Sequence, residues 1–343
     1  MVCLIVLAVA SAVQAPVQAS ALAPPGYEPI PELSDEFDGP VLDGTKWSTN
    51  RQVISWAGRA PGLFDPANVV VSNGSLQLWA RAGRRNASWP AGYDNYTTAA
   101  VRSLASVRGG YFEARWRSGS SGVSSSWWFH TNNGTTWTEI DVFETTGATN
   151  AAPEDPSDPD RCRNTPLNHC RTGCPANRSG TCGADMVPFE AGGPSCNLCP
   201  CNRQNTSCNA GGAKNTDFPS HVHVFALPGT SVGDLPARCN CTEGSPGAAP
   251  CSKASMYRAA QPWSSGFHVA SLNWTIDGAG VSTVAVGIDG SVVGTIRSPC
   301  LVEEIGMDFD RETMPGWMEL PDPRSLPDQP FEIDWVRSWR KRV

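Results

Sequence analysis

Period-2 alternation broken by turn signals dominates this chain, and a sequence patterned that way must bury one face of each strand against another layer. Asn73-Gly74 separates two such runs, Asn68 to Ser72 and Ser75 to Arg81. Asn-Gly is a strong hairpin signal because both residues accept positive φ. Leu76, Leu78 and Ala80 share a face of the second run. Tyr111 to Arg117 sets Phe112, Ala114 and Trp116 against Glu113, Arg115 and Arg117, and Phe331 to Arg337 repeats the pattern with Phe331, Ile333 and Trp335 inward. No long amphipathic helix or internal repeat is visible, and 33 Gly and 29 Pro with only 17% charged residues exclude a coiled coil or a helical bundle. The expected fold class is all-β, two packed antiparallel sheets, and the 343 residues leave room for one sandwich or two domains.

The N-terminus is apolar from Met1 to about Val13, then passes into small residues with two A-x-A-like sites, Val17-Gln18-Ala19 and Ala21-Leu22-Ala23. Residues 1–23 therefore read as a cleaved signal peptide, although the n-region lacks Lys or Arg. No later segment approaches the ~18 apolar residues of a membrane helix. A secreted, soluble monomer with no membrane partner is expected, and a net charge of −7 argues against a nucleic-acid partner.

Of 13 cysteines one lies in the signal, leaving 12, and eight N-x-S/T sequons occur at Asn73, Asn86, Asn95, Asn133, Asn177, Asn205, Asn240 and Asn273. Both features suit an oxidising compartment with disulfides, although Cys196-x-x-Cys199-x-Cys201 also has the spacing of a zinc cluster. Eleven cysteines fall between Cys162 and Cys251, in sequence rich in Gly, Pro, Asn and Ser. This stretch is interrupted by Phe218 to Leu227, which alternates like a strand. Residues 24–343 are thus expected to form a single domain with cystine-rich insertions at about 151–217 and 228–262.

Chemistry concentrates in Trp137 to Glu144 (WTEIDVFE). On a regular strand Glu139 and Asp141 share a face and Glu144 points the other way. One extra residue, a β-bulge within Val142-Phe143, returns Glu144 to that face. Side chains leaning together would leave ~5 to 6 Å between the two Glu carboxyls, the separation a retaining glycosidase needs. A solvated acidic edge strand is the plainer reading of such acids. Ser124 to Phe129 (SSSWWF), just upstream, argues for a sugar site, because rings stack on the apolar faces of sugars. By alternation one of Trp127 and Trp128 belongs to the core.

EIDVFE resembles the E-x-D-x-x-E signature of glycoside hydrolase family 16, the β-jelly-roll endoglycanases that include laminarinases, agarases, porphyranases and κ-carrageenases. Leu33 to Gly39, Leu42 to Trp47, Val107 to Arg115, Phe267-His268 with Asn273-Trp274, and Phe331 to Arg337 match in order. The resemblance implies a concave substrate cleft on a jelly-roll sandwich. It further implies that Glu139 is the nucleophile, Glu144 the acid and then the base, and Asp141 the group that holds Glu139 and keeps Glu144 protonated. The five-residue spacing argues against the xyloglucan transglycosylase branch, whose motif is one residue shorter.

Trp56 to Phe64, Tyr96 to Val101, His221 to Phe225, and Met307 to Asp310 through Pro321 resemble the agarase, porphyranase and carrageenase branch more than laminarinases. That likeness implies a red-algal galactan as polysaccharide substrate, with Trp56, Arg59, Trp128 and His223 touching it. The acidic balance favours a neutral galactan over a densely sulfated one. Hydrolysis by two carboxylates needs no cofactor. The family pattern implies a structural Ca²⁺ at Asp334, with carbonyls near Glu36 and Gly74, although Asp334 could equally form a salt bridge. The alternatives are a laminarinase-type endo-β-1,3-glucanase and, in another class, a non-catalytic carbohydrate-binding or wall protein. A lectin on this fold would normally lack one of the three acids.

Overall fold

Strand alternation resolves into two facing sheets in the computed structural model, which describes residues 23–84, 88–147, 215–226, 252–314, 318 and 320–342. One sheet has eight strands, running Ser291–Ser298, Ser282–Ile288, His268–Ile276, Gly110–Arg117, Phe331–Lys341, Ser75–Leu78 and Val69–Ser72, with Tyr27–Pro29 against Phe331–Lys341. The other has nine, running Ser252–Arg258, Asp217–Ala226, Thr136–Thr146, Ser124–Asn132, Ile305–Arg311, Tyr96–Val107 and Trp47–Ser48, with Gly62–Phe64 and Arg81–Ala82 attached to Tyr96–Val107. Pairing is antiparallel throughout except for Gly62–Phe64, which runs parallel to Tyr96–Thr98. The expected all-β sandwich is thus what the chain forms.

The sheets meet through the inward faces read from the sequence. Leu76, Leu78, Phe112, Ala114, Trp116, Phe331 and Ile333 are fully buried in one cluster that spans both layers. Trp116 of the eight-stranded sheet stacks on Phe143 of the nine-stranded sheet, ring centroids 4.0 Å apart, and truncating such a ring to Ala costs ~3–5 kcal/mol. Asn73 and Gly74 take φ of 55° and 72° in an exposed turn, as the hairpin signal predicts.

Two expectations need correction. Trp335 does not point inward: the register slips between Ile333 and Trp335, so Trp335 stands opposite Arg115 on the outer face and Val336 takes the core position. One bulged residue inverts every later side chain on a strand, and Trp335 instead lies under the Arg337 guanidinium, 4.1 Å from its centroid. The second insertion also ends earlier than 262, because Ser252–Arg258 pairs with Asp217–His223 as the sheet edge. SKASMYR has too few apolar residues to announce a strand. Residues 151–214 and 228–251 of the cystine-rich insertions and the signal peptide up to residue 22 lie outside the described residues, although Cys300 is fully buried and disulfide-bonded. No described helix is long and apolar enough to cross a membrane.

Candidate active site

Thr136–Thr146 pairs with Ser124–Asn132 on one side and Asp217–Ala226 on the other, placing it inside the nine-stranded sheet. Along it Ile140, Val142 and Phe143 are fully buried in the core. Asp141 faces Trp128 and Phe143 faces Trp127, so Val142 is the unmatched residue of a β-bulge. The bulge restores phase as the five-residue spacing requires, and Glu139, Asp141 and Glu144 come to one face. Trp127 is in the core, stacked on Phe309 with ring centroids 5.8 Å apart, and Trp128 lies on the acid face, stacked on His130 at 4.3 Å.

Register decides which groups surround the acids. His223 stands opposite Glu139 and His221 opposite Asp141. His221 Nδ1 lies 3.2 Å from a Glu144 oxygen and 3.4 Å from an Asp141 oxygen, and His223 Nε2 lies 3.8 Å from the same Asp141 atom. The Trp137 indole N–H donates to Glu139. Burial and the neighbouring Glu144 charge push the Glu139 carboxyl up, against hydrogen bonds from Trp137 and Asp141 that favour its charged form. Burial, then the charges of Glu139 and Glu144, raise Asp141 well above the usual carboxylate range, and a hydrogen bond links it to Glu139. Burial works against a charged His221, but its bonds to Asp141 and Glu144 prevail and raise it to about 10. Burial and the charge on His221 drop His223 to about 3. One ring is therefore a cation bridging two acids, and the other is neutral.

A second row of acids flanks the first. Asp308 and Asp310 pair in register with Trp128 and Ser126, and Glu312 follows just beyond the strand. All three are buried. Asp308 accepts from Arg102 at 2.8 Å and lies 2.9 Å from His130 Nδ1. Glu312 accepts the Trp56 indole N–H at 2.7 Å and lies 3.5 Å from the Arg59 guanidinium. Burial raises Glu312, while Arg59 and Trp56 pull it back. Trp56 in turn meets the edge of Trp137, centroids 6.2 Å apart. The residues expected to touch substrate are thereby gathered around the acids.

Sequence reasoning gave no role to His130 or Trp137, and held His221, Asp308, Asp310 and Glu312 only within segments resembling the galactanase branch, with no individual role. Their signal was the alternation H-x-H and D-x-D-x-E, which puts each set on one strand face. The residues named for Ca²⁺ sit elsewhere. Asp334 follows Ile333, the partner of Leu76, on the bulged strand near the Asn73-Gly74 turn, and one of its oxygens is 2.5 Å from Arg115. Both Glu36 oxygens accept from Arg337, at 2.8 and 2.9 Å. Only Asp334 was expected to offer its side chain to Ca²⁺, and with that carboxylate held by Arg115 the site as it stands fits a hard cation poorly.

Residues 27–181 match the family model described as the GH16 domain of β-porphyranases A–D. β-Porphyranase D of Zobellia galactanivorans is 36% identical over 107 residues, covering 30% of this chain and 25% of the relative. The chain spans between 25% and 42% of the length of the curated relatives it matches. Among solved structures, porphyranase B of Zobellia galactanivorans superposes with a TM-score of 0.61 at 18% identity, covering 92% of each chain. A laminarinase catalytic domain from Thermotoga maritima superposes at 0.55 and 16% identity, covering 92% of this chain and 98% of that one, so the shared fold alone does not separate the branches. The resemblance to glycoside hydrolase family 16 drawn from the acid spacing is thereby borne out, by sequence over residues 27–181 and by fold across both sheets.

Proposed function

We propose that the protein is a secreted, retaining endo-glycoside hydrolase that cleaves a β-linked red-algal galactan. The observation that carries this reading is the bulge at Val142, which sets Glu139, Asp141 and Glu144 on one face beside Trp56, Trp128 and Trp137. The β-porphyranase match favours a galactan over a β-1,3-glucan.

In the first step a Glu139 oxygen attacks the anomeric carbon while Glu144 gives its proton to the departing glycosidic oxygen, leaving an ester between sugar and Glu139. In the second step Glu144 takes a proton from water, the hydroxyl bonds to the anomeric carbon, and Glu139 leaves as carboxylate. The Trp137 N–H and the Asp141 hydrogen bond stabilise that carboxylate as a leaving group. Protonated His221 braces Asp141 and Glu144 from the neighbouring strand. No cofactor enters these steps. The chain is read as one domain after loss of residues 1–23, acting as a monomer on polysaccharide.

Reducing-sugar release from agarose, porphyran, κ-carrageenan, laminarin and lichenan tests the reading. Internal cleavage of a red-algal galactan into even-numbered oligosaccharides is expected, since a disaccharide repeat offers one scissile linkage in two. Cleavage of laminarin with no action on any galactan would move the protein to the glucanase branch, and no release from any chain would reject hydrolysis.

A further inference from the structure

His221 and His223 are two apart on Asp217–Ala226, so both rings leave the same face of the sheet, and Asp141 is the register partner of His221. Ligand-capable atoms of the three residues all lie within 4.8 Å of one another. The Asp141 oxygen that stands 3.4 Å from His221 Nδ1 and 3.8 Å from His223 Nε2 is buried between the two rings. Two donors around a tetrahedral Zn²⁺ stand ~3.3 Å apart at ordinary bond lengths. The observed spacings need only small side-chain rotations to reach that.

We propose that Asp141, His221 and His223 form a binding site for a borderline first-row divalent cation, of which Zn²⁺ is the type, and that its occupation switches the cleft off. Two imidazoles and one carboxylate select Zn²⁺, Cu²⁺ or Ni²⁺ over Ca²⁺ and Mg²⁺, which prefer all-oxygen shells. A histidine pair at i and i+2 on a strand, joined by a carboxylate from the next strand, is held by backbone pairing on both sides, so the donors are positioned before the ion arrives. Glu144, 3.2 Å from His221 Nδ1, or a water completes four-coordination. The ion then replaces the His221 ring as the bridge between Asp141 and Glu144. It ties up the carboxylate that braces Glu139 and sets a dipositive charge beside the group that must protonate the leaving oxygen. The inference stands apart from the substrate reading, because binding needs no sugar.

Isothermal titration of the full chain with ZnCl₂, repeated on His223→Ala, His223→Gln and the control His268→Ala, tests it. His268 pairs with Asp289 in the other sheet. One equivalent of Zn²⁺ should bind the wild type and the control alike, and the Kd should weaken at least ~10-fold in both His223 variants, a loss of ~1.4 kcal/mol. Co²⁺ should give the intense visible bands of a four-coordinate site in the wild type and lose them in His223→Gln. Zn²⁺ should inhibit hydrolysis reversibly, with EDTA restoring it. Matching isotherms in wild type and a folded His223→Gln protein would overturn the proposal, as would saturation by Zn²⁺ with full activity. Should the wild type hydrolyse no polysaccharide, the titration and the Co²⁺ spectrum still decide the site.

Discussion

Trp137 donates its indole N–H to Glu139, the residue two positions further along the same strand. Both side chains rise from one face because of that spacing, and the bond favours the anionic form while burial and the Glu144 charge push the carboxyl up. Glu139 thus receives a contact that favours its charged form from its own strand, independently of any loop.

Glu139→Gln and Glu144→Gln should each lower kcat by ~10³-fold or more with thermal unfolding little changed, since both act on the reacting bond. Azide should restore turnover to Glu139→Ala and give a glycosyl azide of inverted configuration. Activity within a few-fold of wild type in either Gln variant would remove that residue from the mechanism.

Arg59→Ala should weaken galactan binding by ~1.5 to 3 kcal/mol, through loss of a charge-assisted contact. It also strands the buried Glu312 carboxylate. The double variant Arg59→Ala/Glu312→Gln should therefore be more stable than Arg59→Ala alone. Equal melting temperatures for the single and double variants would mean that the pair contributes nothing.

The pKa of His221 is raised to about 10 in the folded protein, against about 6.5 unfolded. The folded state then binds the extra proton between those values, so its stabilising contribution is complete below about pH 6.5 and is lost as pH rises toward about 10. The raised carboxyls of Glu139 and Asp141 act with the same sign. Melting temperature should fall from pH 6.5 to pH 9.5, and the fall should be smaller in His221→Gln. Parallel profiles for the two proteins would count against a charged His221.

Of the four sequons in described residues, Asn73, Asn95 and Asn133 are exposed, the first two at positive φ in turns. Asn273 instead lies mid-strand, between Tyr111 and Ala285, and its side chain accepts from Tyr27 at 3.4 Å. Protein secreted from a eukaryotic host should carry glycans at the three turn sites and none at Asn273. Peptide mapping after enzymatic deglycosylation reads this directly, and a glycan on Asn273 would contradict the strand assignment.

The shared face of Glu139, Asp141 and Glu144 was legible because five-residue acid spacing has one economical solution on a strand, a single bulge. The same device at Asp334 stayed hidden: FEIDWVR alternates cleanly through Trp335, and only the pairing of Ile333 with Trp116 and of Trp335 with Arg115 exposes the slip. Asp308, Asp310 and Glu312 lie in a segment that the sequence marks only by its likeness to the galactanase branch. Burial beside Arg102, Arg59 and Trp56 is a property of the assembled sheet, and no local pattern announces it.

The neighbouring strands Thr136–Thr146 and Asp217–Ala226, which bring Asp141 to His221, are joined through about 70 intervening residues where a hairpin of four would serve. By chain length alone, closing a connection of that many residues costs ~2 to 3 kcal/mol more loop entropy than closing the short one. The pairing that sets Asp141 opposite His221 therefore carries that closure cost. A covalent cross-link that shortened the effective connection would stabilise the strand pair, and opening such a link would loosen the alignment of Asp141 with His221 without touching either side chain.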